Sequence, residues 1–433
     1  MSRGRKRIGT GFSKKRQAGV VSMSLMSPPQ GNAPLPLKVS VVGAGIGGLS
    51  VAIALRRNGH LVEVFEAAEI ATEVGAGIGM QVNALRVLEH WGMRRGNLKG
   101  VQYDGIMTFD ARTGEGLARR WLVSGMDQGQ SLLCHRRDVH DELLRLAVGE
   151  GDGVPVKLRL GNKIVECDPE RGTVTLKDGE TIHADLVVGA DGLRSVIRSH
   201  VVGATVTAPA TGLSCFRSLI DASKLGEMEW LTEGLSGARS IIAKEGEYRL
   251  IFVYPCRNGQ FINVVAIYKD PHQDDPDWLA TGTREELLET FNDIHPKFLA
   301  LLALADNPVL RWQLRVLPVL DTWVRGRTAL LGDAAHATLP TLGQGAAMAI
   351  EEAGALGCLL PLGTRREDVP SRLEAYQTLR KSRGDYVNRE SLAQGIEPSK
   401  RGLYFRSPEV QSYLFQHDAI KDAKAYYEKH FVL

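Results

Sequence analysis

Between Leu37 and about Gly92, dense apolar runs alternate with stretches of helical spacing. Val39 to Val42 is a short dense run, Leu49 to Arg57 repeats as an amphipathic helix does, and Leu61-Val62-Glu63-Val64-Phe65 is dense again. The pattern predicts strand, helix, strand, loop, helix, with a stop at Asn58-Gly59 and the last helix over Asn83 to His90. Further on, Arg136 and Arg137 open a helix running from Asp138 through Leu143, Leu144 and Leu146. Short strands are predicted at Lys157 to Leu160 and at Thr173 to Leu176, the second closed by an Asp178-Gly179 turn. Ala184 to Gly189 is too continuously apolar for a surface strand and suits a buried parallel one ending at Asp191.

From about residue 206 the character changes to β-rich stretches such as Ile251-Phe252-Val253-Tyr254 and Phe261 to Ala266. Strand-then-helix character returns at Arg327 to Asp333, followed by a helical run from Ala346 to about Gly357. The predicted fold is therefore α/β, with a discontinuous Rossmann-like domain, a second sheet-containing domain and C-terminal helices. The expected organisation is a disordered basic tail over 1–37, the first domain over 38–205 and 322–378, the second domain over 206–321, and a helical segment over 379–433.

Gly43-Ala44-Gly45-Ile46-Gly47-Gly48 joins the first strand to the first helix. Glycines at 43, 45 and 48 permit a tight turn and a close approach to a pyrophosphate, whose charge rests on the helix N-terminus. Glu66, eighteen residues after Gly48, ends the second strand, where a carboxylate takes a ribose hydroxyl pair. The glycine-dense loop Glu73 to Gly79, with Ala76 and Gly77, is able to pass close to a bound ring or phosphate. Two more acids stand at strand ends: Asp191 before Gly192, and Asp333 in Leu331-Gly332-Asp333-Ala334-Ala335-His336. Taken alone, Asp191 reads more simply as a helix cap or turn. Pro340, Gly343-Gln344-Gly345 and Ala346 open the following helix, whose start offers backbone N–H groups to an anion. A pyrophosphate loop, a ribose acid, a polyol-binding acid and a helix aimed at a ring that becomes anionic are together what FAD requires.

Composition narrows the field. Glycine, 47 of 433 residues, is roughly 11% against an average of about 7%, in keeping with several phosphate-approaching turns. The net charge of +3 conceals an uneven distribution, because residues 1–37 hold seven Lys or Arg and no acid. The remainder has 46 basic and 50 acidic residues, a net of −4, which argues against a nucleic-acid binder. The tail also permits an organelle or nuclear targeting signal. Cys134, Cys167, Cys215, Cys256 and Cys358 are scattered, suggesting neither a metal site nor a disulfide framework. No apolar run reaches the length of a membrane span. A soluble cytoplasmic protein, monomer or homodimer, is expected.

Residues 38 to about 425 resemble the class A FAD-dependent aromatic monooxygenases, most closely the salicylate hydroxylase-like group common in fungi. The matching segments are VVGAGIGGLSVAIAL, EVGAGIGMQVNALRVLEHWG, CHRRDVHDELL, GADGLRSVIR, YPCRNGQFINVVAIY and TWVRGRTALLGDAAHATLPTLGQGAAMAIEEA, with YLFQHDAIKDA resembling the fungal subset. The resemblance implies that Gly43, Gly45, Gly48 and Glu66 hold the ADP half of FAD and that Arg136 meets the ribityl-phosphate region. It further implies that Asp333 bonds the ribityl chain, that Pro340, Gly343 and Gly345 line the flavin ring, and that Asp191 and Gly192 serve both FAD and transient nicotinamide contact. Val82 departs from the pattern, since many fungal members have proline there.

No second GxGxxG unit is present, so NAD(P)H is expected to dock transiently, reduce FAD and leave. Dioxygen would then add to the reduced flavin, and the hydroperoxide would pass an oxygen to a phenolic or aromatic-acid substrate. A fixed cation near the substrate oxygen would help. Arg217 is the candidate, with a structural ion pair as its plain alternative. Tyr254 could supply a hydroxyl, or simply fill a sheet face. His336 is read as orienting, Arg137 as a solvated charge, and Glu351 and Glu352 as helix surface. Competing readings are an epoxidase of a natural product using the same chemistry, a flavin oxidoreductase without oxygen insertion, and a non-enzymatic flavin-binding protein.

Overall fold

The dense apolar runs at the start of the chain become the centre of a six-stranded sheet. Its order is Val324–Arg325, Thr328–Leu330, Leu186–Gly189, Lys38–Val42, Leu61–Phe65 and Lys157–Arg159. All neighbours are parallel except the first pair. The computed structural model describes residues 34–70, 76–122, 131–232, 234, 236–243, 248–270, 279–397, 400, 402 and 407–432. The expected tail, up to residue 33, and residues 73–75 of the glycine-dense loop lie outside the described residues. Leu35–Leu433 form one compact unit.

The helices are α1 (Ile46–Arg57), α2 (Val82–His90), α3 (Arg136–Val148), α4 (Val196–Val202), α5 (Arg284–Thr290), α6 (Pro296–Leu302), α7 (Asp333–His336), α8 (Gly345–Leu359), α9 (Val369–Ile396), α10 (Pro408–Phe415) and α11 (Ala419–Phe431). Sequence spacing predicts an amphipathic α1, but the helix is buried almost all round. It packs against both α3 and α8, so no face is left for water. Val82 is the first residue of α2, a position where proline is well tolerated, so valine and proline both suit this helix start.

A second, eight-stranded sheet runs Leu279–Gly282, Val309–Arg315, Ala210–Asp221, Phe261–Lys269, Arg249–Cys256, Ala238–Ile242, Gly105–Asp110 and Gly116–Arg120. Its last two strands come from the stretch 38–205, because Ile106–Asp110 pairs in parallel with Ala238–Ile242. Alternation gives this sheet two different faces. Phe216, Ile220, Ile251, Val253 and Val264 turn toward α5 and α6 and form an apolar core with Phe298 and Leu301. On the opposite face Leu213, Cys215, Val265, Ile267 and Leu314 pack with Leu339, which follows α7, and with Leu392 of α9. Among the described residues no helix is long and apolar enough to cross a membrane, and no cluster of His, Cys, Asp or Glu is arranged to hold a metal ion.

Candidate functional site

Strand register brings the distant motifs together. Val42 pairs with Phe65 and with Gly189, and Gly189 pairs with Leu330, so four parallel strands end level with one another. Gly43, Glu66, Asp191 and Asp333 follow those ends by one to three residues and emerge at one carboxyl edge, where open α/β sheets bind ligands. Helices α1 and α8 lie side by side in parallel: a side chain built on Gly47 would meet Ala349 at 3.2 Å, and one on Gly357 would meet Ala54 at 3.0 Å. Their N-termini therefore point toward the same edge.

The three glycines of the first loop do different things. Gly43 has φ +103, and a Cβ there would overlap the Ala190 carbonyl oxygen. A Cβ on Gly48 would overlap the carbonyl oxygen of Gly43. Both are glycine because the protein's own backbone passes there. Gly45 has ordinary extended geometry and nothing within 4 Å of a built Cβ, so the space beside it is open. The peptide between them is held on both sides: Ala44 N–H donates to Glu66 Oε2 at 2.8 Å, and His140 Nε2 donates to the Ala44 carbonyl at 2.8 Å. His140, buried on α3, was not singled out by the sequence reading.

The strand-end acids also differ. Glu66 accepts from Ala44 and Ala68 N–H and keeps further acceptor capacity at the edge. Asp333 is exposed and makes no side-chain hydrogen bond or ion pair among the described residues, though its charge is felt by His336. The Asp191 carboxylate, in contrast, is taken up by α4: it accepts from Ser195 Oγ at 2.6 Å, Val196 N–H at 2.7 Å and Ile197 N–H at 3.2 Å. Burial pushes its carboxyl up, and those three donors act against the shift. The side chain is thus a cap, so what Asp191 and Gly192 offer a ligand is backbone.

Helix α8 begins at Gly345 without a side-chain cap, leaving its first amides, including that of Ala346, available to an anion. Gly343 just before it has φ +62, and Pro340 opens the short turn that leads there. A Cβ on Gly343 would lie 3.2 Å from the Gln81 side chain, which places the strand Gly77–Met80 beside this helix start. That strand is held from two sides. Arg136 N–H donates to the Ala76 carbonyl at 2.8 Å, and Gly77 N–H donates to Asn263 Oδ1 at 2.7 Å. Tyr254 is buried and covers Gly77 so closely that a Cβ would come within 2.7 Å of its hydroxyl.

Arg217 lies on the sheet face that carries Cys215 and Val265, directly opposite Val265 in register. Its guanidinium sits 4.5 Å from the Trp312 ring centroid, it forms no ion pair among the described residues, and its buried Nε has no hydrogen-bond partner. Among the described residues the plain alternative, a structural ion pair, is not formed. Tyr254 and Asn263 share the same face by alternation. An unpaired cation among Cys215, Val265, Trp312 and Phe252 suits an anionic group on a flat apolar ligand.

Glu351 and Glu352 overturn their reading as helix surface: both are fully buried. Glu351 accepts from Asn83 Nδ2 at 2.6 Å, Arg380 Nη2 at 2.5 Å and Arg383 Nε at 2.8 Å. Burial alone would raise its carboxyl, but Arg383 and Arg380 prevail and hold it at about 2. Glu352 accepts from Gly332 N–H and meets His336 Nε2. The clue in the sequence was an acidic pair inside an otherwise apolar helix, flanked by Ala346 to Ile350 and Ala353 to Leu360. Arg137 is exposed and pairs loosely with Asp141.

Open space at Gly45, uncapped starts on α1 and α8 and a free carboxylate at Asp333 fit a dinucleotide with a polyol chain and a ring that accepts negative charge. Comparison with known proteins gives that ligand a name. The family described as "FAD binding domain" matches residues 36–391. Among its relatives, hispidin-3-hydroxylase of Neonothopanus nambi is 40% identical over 407 residues, covering 88% of this chain and 94% of the relative. A salicylate hydroxylase of Pseudomonas putida is 32% identical over 388 residues, covering 84% and 86%. A solved salicylate hydroxylase substrate complex superposes with a TM-score of 0.74 at 26% identity, covering 90% of this chain and 98% of that one. This chain belongs to the FAD binding domain family and is an FAD-dependent monooxygenase of the aromatic hydroxylase group.

Proposed function

We propose that this protein hydroxylates a phenolic or aromatic-acid substrate, with NAD(P)H as the electron donor. The position of Arg217 carries the reading: a partly buried guanidinium 4.5 Å from the Trp312 ring centroid, with no ion pair among the described residues, on the sheet face that turns toward Leu339 and α9. In this reading Gly43, Gly45, Gly48 and Glu66 hold the ADP half of FAD, Arg136 the phosphate region, and Asp333 the ribityl chain. Ala76, Gly77, Pro340, Gly343, Gly345 and Ala346 line the ring, with Asp191 contributing backbone. Bound FAD, once reduced, supplies the activation of dioxygen and the transfer of one oxygen atom.

The protein's part is to bind, orient and exclude water. Arg217 holds the substrate's phenolate or carboxylate oxygen, which keeps the ring electron-rich and fixes which edge faces the flavin. Burial raises the Tyr254 hydroxyl while the charge of Arg217 acts to lower it. The balance keeps Tyr254 protonated near neutrality, able to donate a hydrogen bond to substrate. The apolar side chains around Arg217 exclude water from this face. With no second glycine-rich nucleotide loop in the chain, the reduced coenzyme binds transiently at the FAD site's edge.

The test is a screen of the purified FAD-loaded protein against phenols and aromatic acids, with hispidin and salicylate first because relatives are named for them. Expected are substrate-stimulated coenzyme oxidation and a product gaining one oxygen from labelled dioxygen. Oxygen addition across an alkene would favour an epoxidase, and an unlabelled desaturated product would replace oxygenation with simple oxidation. Arg217→Ala is expected to retain FAD and lose about 100-fold or more in turnover, the scale on which a positioned charge contributes. Unchanged turnover would remove Arg217 from the site.

A further inference from the structure

The acidic pair inside α8 is the buried polar feature that the proposed reaction leaves unused. Successive helical residues diverge by about 100°, so adjacent carboxylates serve different neighbours. Glu351 faces α2 and α9 through Asn83, Arg380 and Arg383. Glu352 faces the turn that carries Asp333. Its Oε2 accepts the Gly332 N–H at 2.8 Å and its Oε1 meets His336 Nε2 at 2.6 Å. Gly332 caps α7 with φ +64, and His336 is the last residue of that one-turn helix. One carboxylate therefore grips both ends of the segment presenting Asp333.

The grip is fully desolvated, with Glu352 at 0% and His336 at 2% exposure. Burial acts to lower the His336 imidazole, but the Glu352 charge reverses this and favours the protonated ring. The ring is also packed against Trp323, centroid to centroid 5.1 Å. Seven residues back along the same helix is Gly345, at the uncapped start. Glu352 is thus the covalent and hydrogen-bonded link between two elements that meet FAD separately, the Asp333 turn and the amides of α8.

We propose that Glu352, acting through Gly332 and His336, is a positioning residue for FAD: it locks the Asp333 turn to α8 so that the carboxylate and the helix start meet the cofactor as one rigid unit. The inference rests on the reading that Asp333 and the α8 start bind FAD. With glutamine in its place an oxygen remains for the Gly332 N–H, but the charged hydrogen bond to His336 is lost and the turn keeps one of its two anchors.

Cofactor-free protein is titrated with FAD, and the reduction potential of the bound flavin is measured by dye equilibration, for wild type, Glu352→Gln and His336→Asn. Expected are about tenfold or weaker FAD binding in both variants, the scale of one lost charged hydrogen bond, and a shifted flavin potential. A general loss of stability would lower the melting temperature without moving the potential. FAD affinity within twofold of wild type together with an unchanged potential would overturn the proposal. If Glu352→Gln does not fold, His336→Asn, which leaves the Gly332 bond in place, decides by the same criteria. Failure of the wild-type protein to bind FAD would sink the functional reading itself, whereas normal wild-type binding with unaffected variants sinks only the role of Glu352.

Discussion

The helices of this protein begin in two ways. Six of them start on a side chain that satisfies the first amides: His135 for α3, Ser195 for α4, Thr283 for α5, His295 for α6, Ser407 for α10 and Asp418 for α11. Helices α1, α2, α7, α8 and α9 start with no side-chain cap, and among them α1 and α8, which start on Gly45 and Gln344, point at the carboxyl edge of the six-stranded sheet. A capped start satisfies its amides at the cost of their availability. An uncapped one keeps its partial positive charge for a ligand. The strand-end acids divide in the same way, since Asp191 serves as a cap whereas Asp333 stays free. A missing cap is therefore not by itself the mark of a site, since α9 starts uncapped away from that edge; what sets α1 and α8 apart is that both bare starts face the strand-end acids.

Supplying a cap where none exists tests this most severely. Gly45 has ordinary backbone angles and open surroundings, so Gly45→Asp is expected to fold as well as wild type or slightly better, by a few tenths of a kcal/mol. Its carboxylate would occupy the space proposed for the pyrophosphate, and FAD binding is expected to fall by about 1,000-fold, or roughly 4 kcal/mol. Calorimetric titration beside a thermal melt of the cofactor-free protein checks both halves. Normal FAD affinity would mean that the open space holds something else.

Helix α8 keeps its bare start because its body is anchored elsewhere, chiefly through Glu351. The carboxyl of Glu351 is held at about 2 in the folded protein against an ordinary 4.5. A depressed folded value means that the ionised group contributes stability fully above about pH 4.5, and that this is lost as the pH falls through about 2. Glu351→Gln is expected to cost about 3 kcal/mol at pH 7, and the difference from wild type should shrink on acidification over that window. Denaturant unfolding at several pH values measures it, and a pH-independent difference would contradict the assignment.

The smallest effect belongs to an ordinary capped start. Thr283 and Glu286 form a reciprocal capping box on α5, on the side of the eight-stranded sheet away from Arg217. Thr283→Ala should destabilise the protein by about 1 kcal/mol and leave FAD affinity unchanged. A change in affinity would show that the two kinds of helix start are not independent.

Much of the fold around the proposed site was legible in the sequence. Strand, glycines, helix and terminal acid in order located Gly43, Gly45, Gly48 and Glu66 because local backbone geometry writes directly into residue choice. The return of strand-helix character near Arg327 marked the discontinuity, since a buried parallel strand needs a continuous apolar run. Less was legible wherever a side chain's meaning depends on a distant partner. Glu351 and Glu352 looked like helix surface because the sequence does not show Arg380, Arg383 or His336 facing them. Asp191 could be read as a cap or turn from the sequence because its partners, Ser195 and the start of α4, follow within six residues.

What the sequence by itself determined is therefore everything that depends on short stretches of backbone: the strands, the phosphate-loop turn, the glycine-opened helices and the order in which they come. The tertiary structure alone decided which charges are buried and with whom, and which of three glycines has open space beside it instead of a neighbouring carbonyl. It also set Arg217 against an aromatic ring, with no ion pair among the described residues. The physical reason is range. Dihedral preference and hydrophobic period act over a few residues, whereas desolvation and charge pairing depend on atoms brought together from hundreds of positions apart.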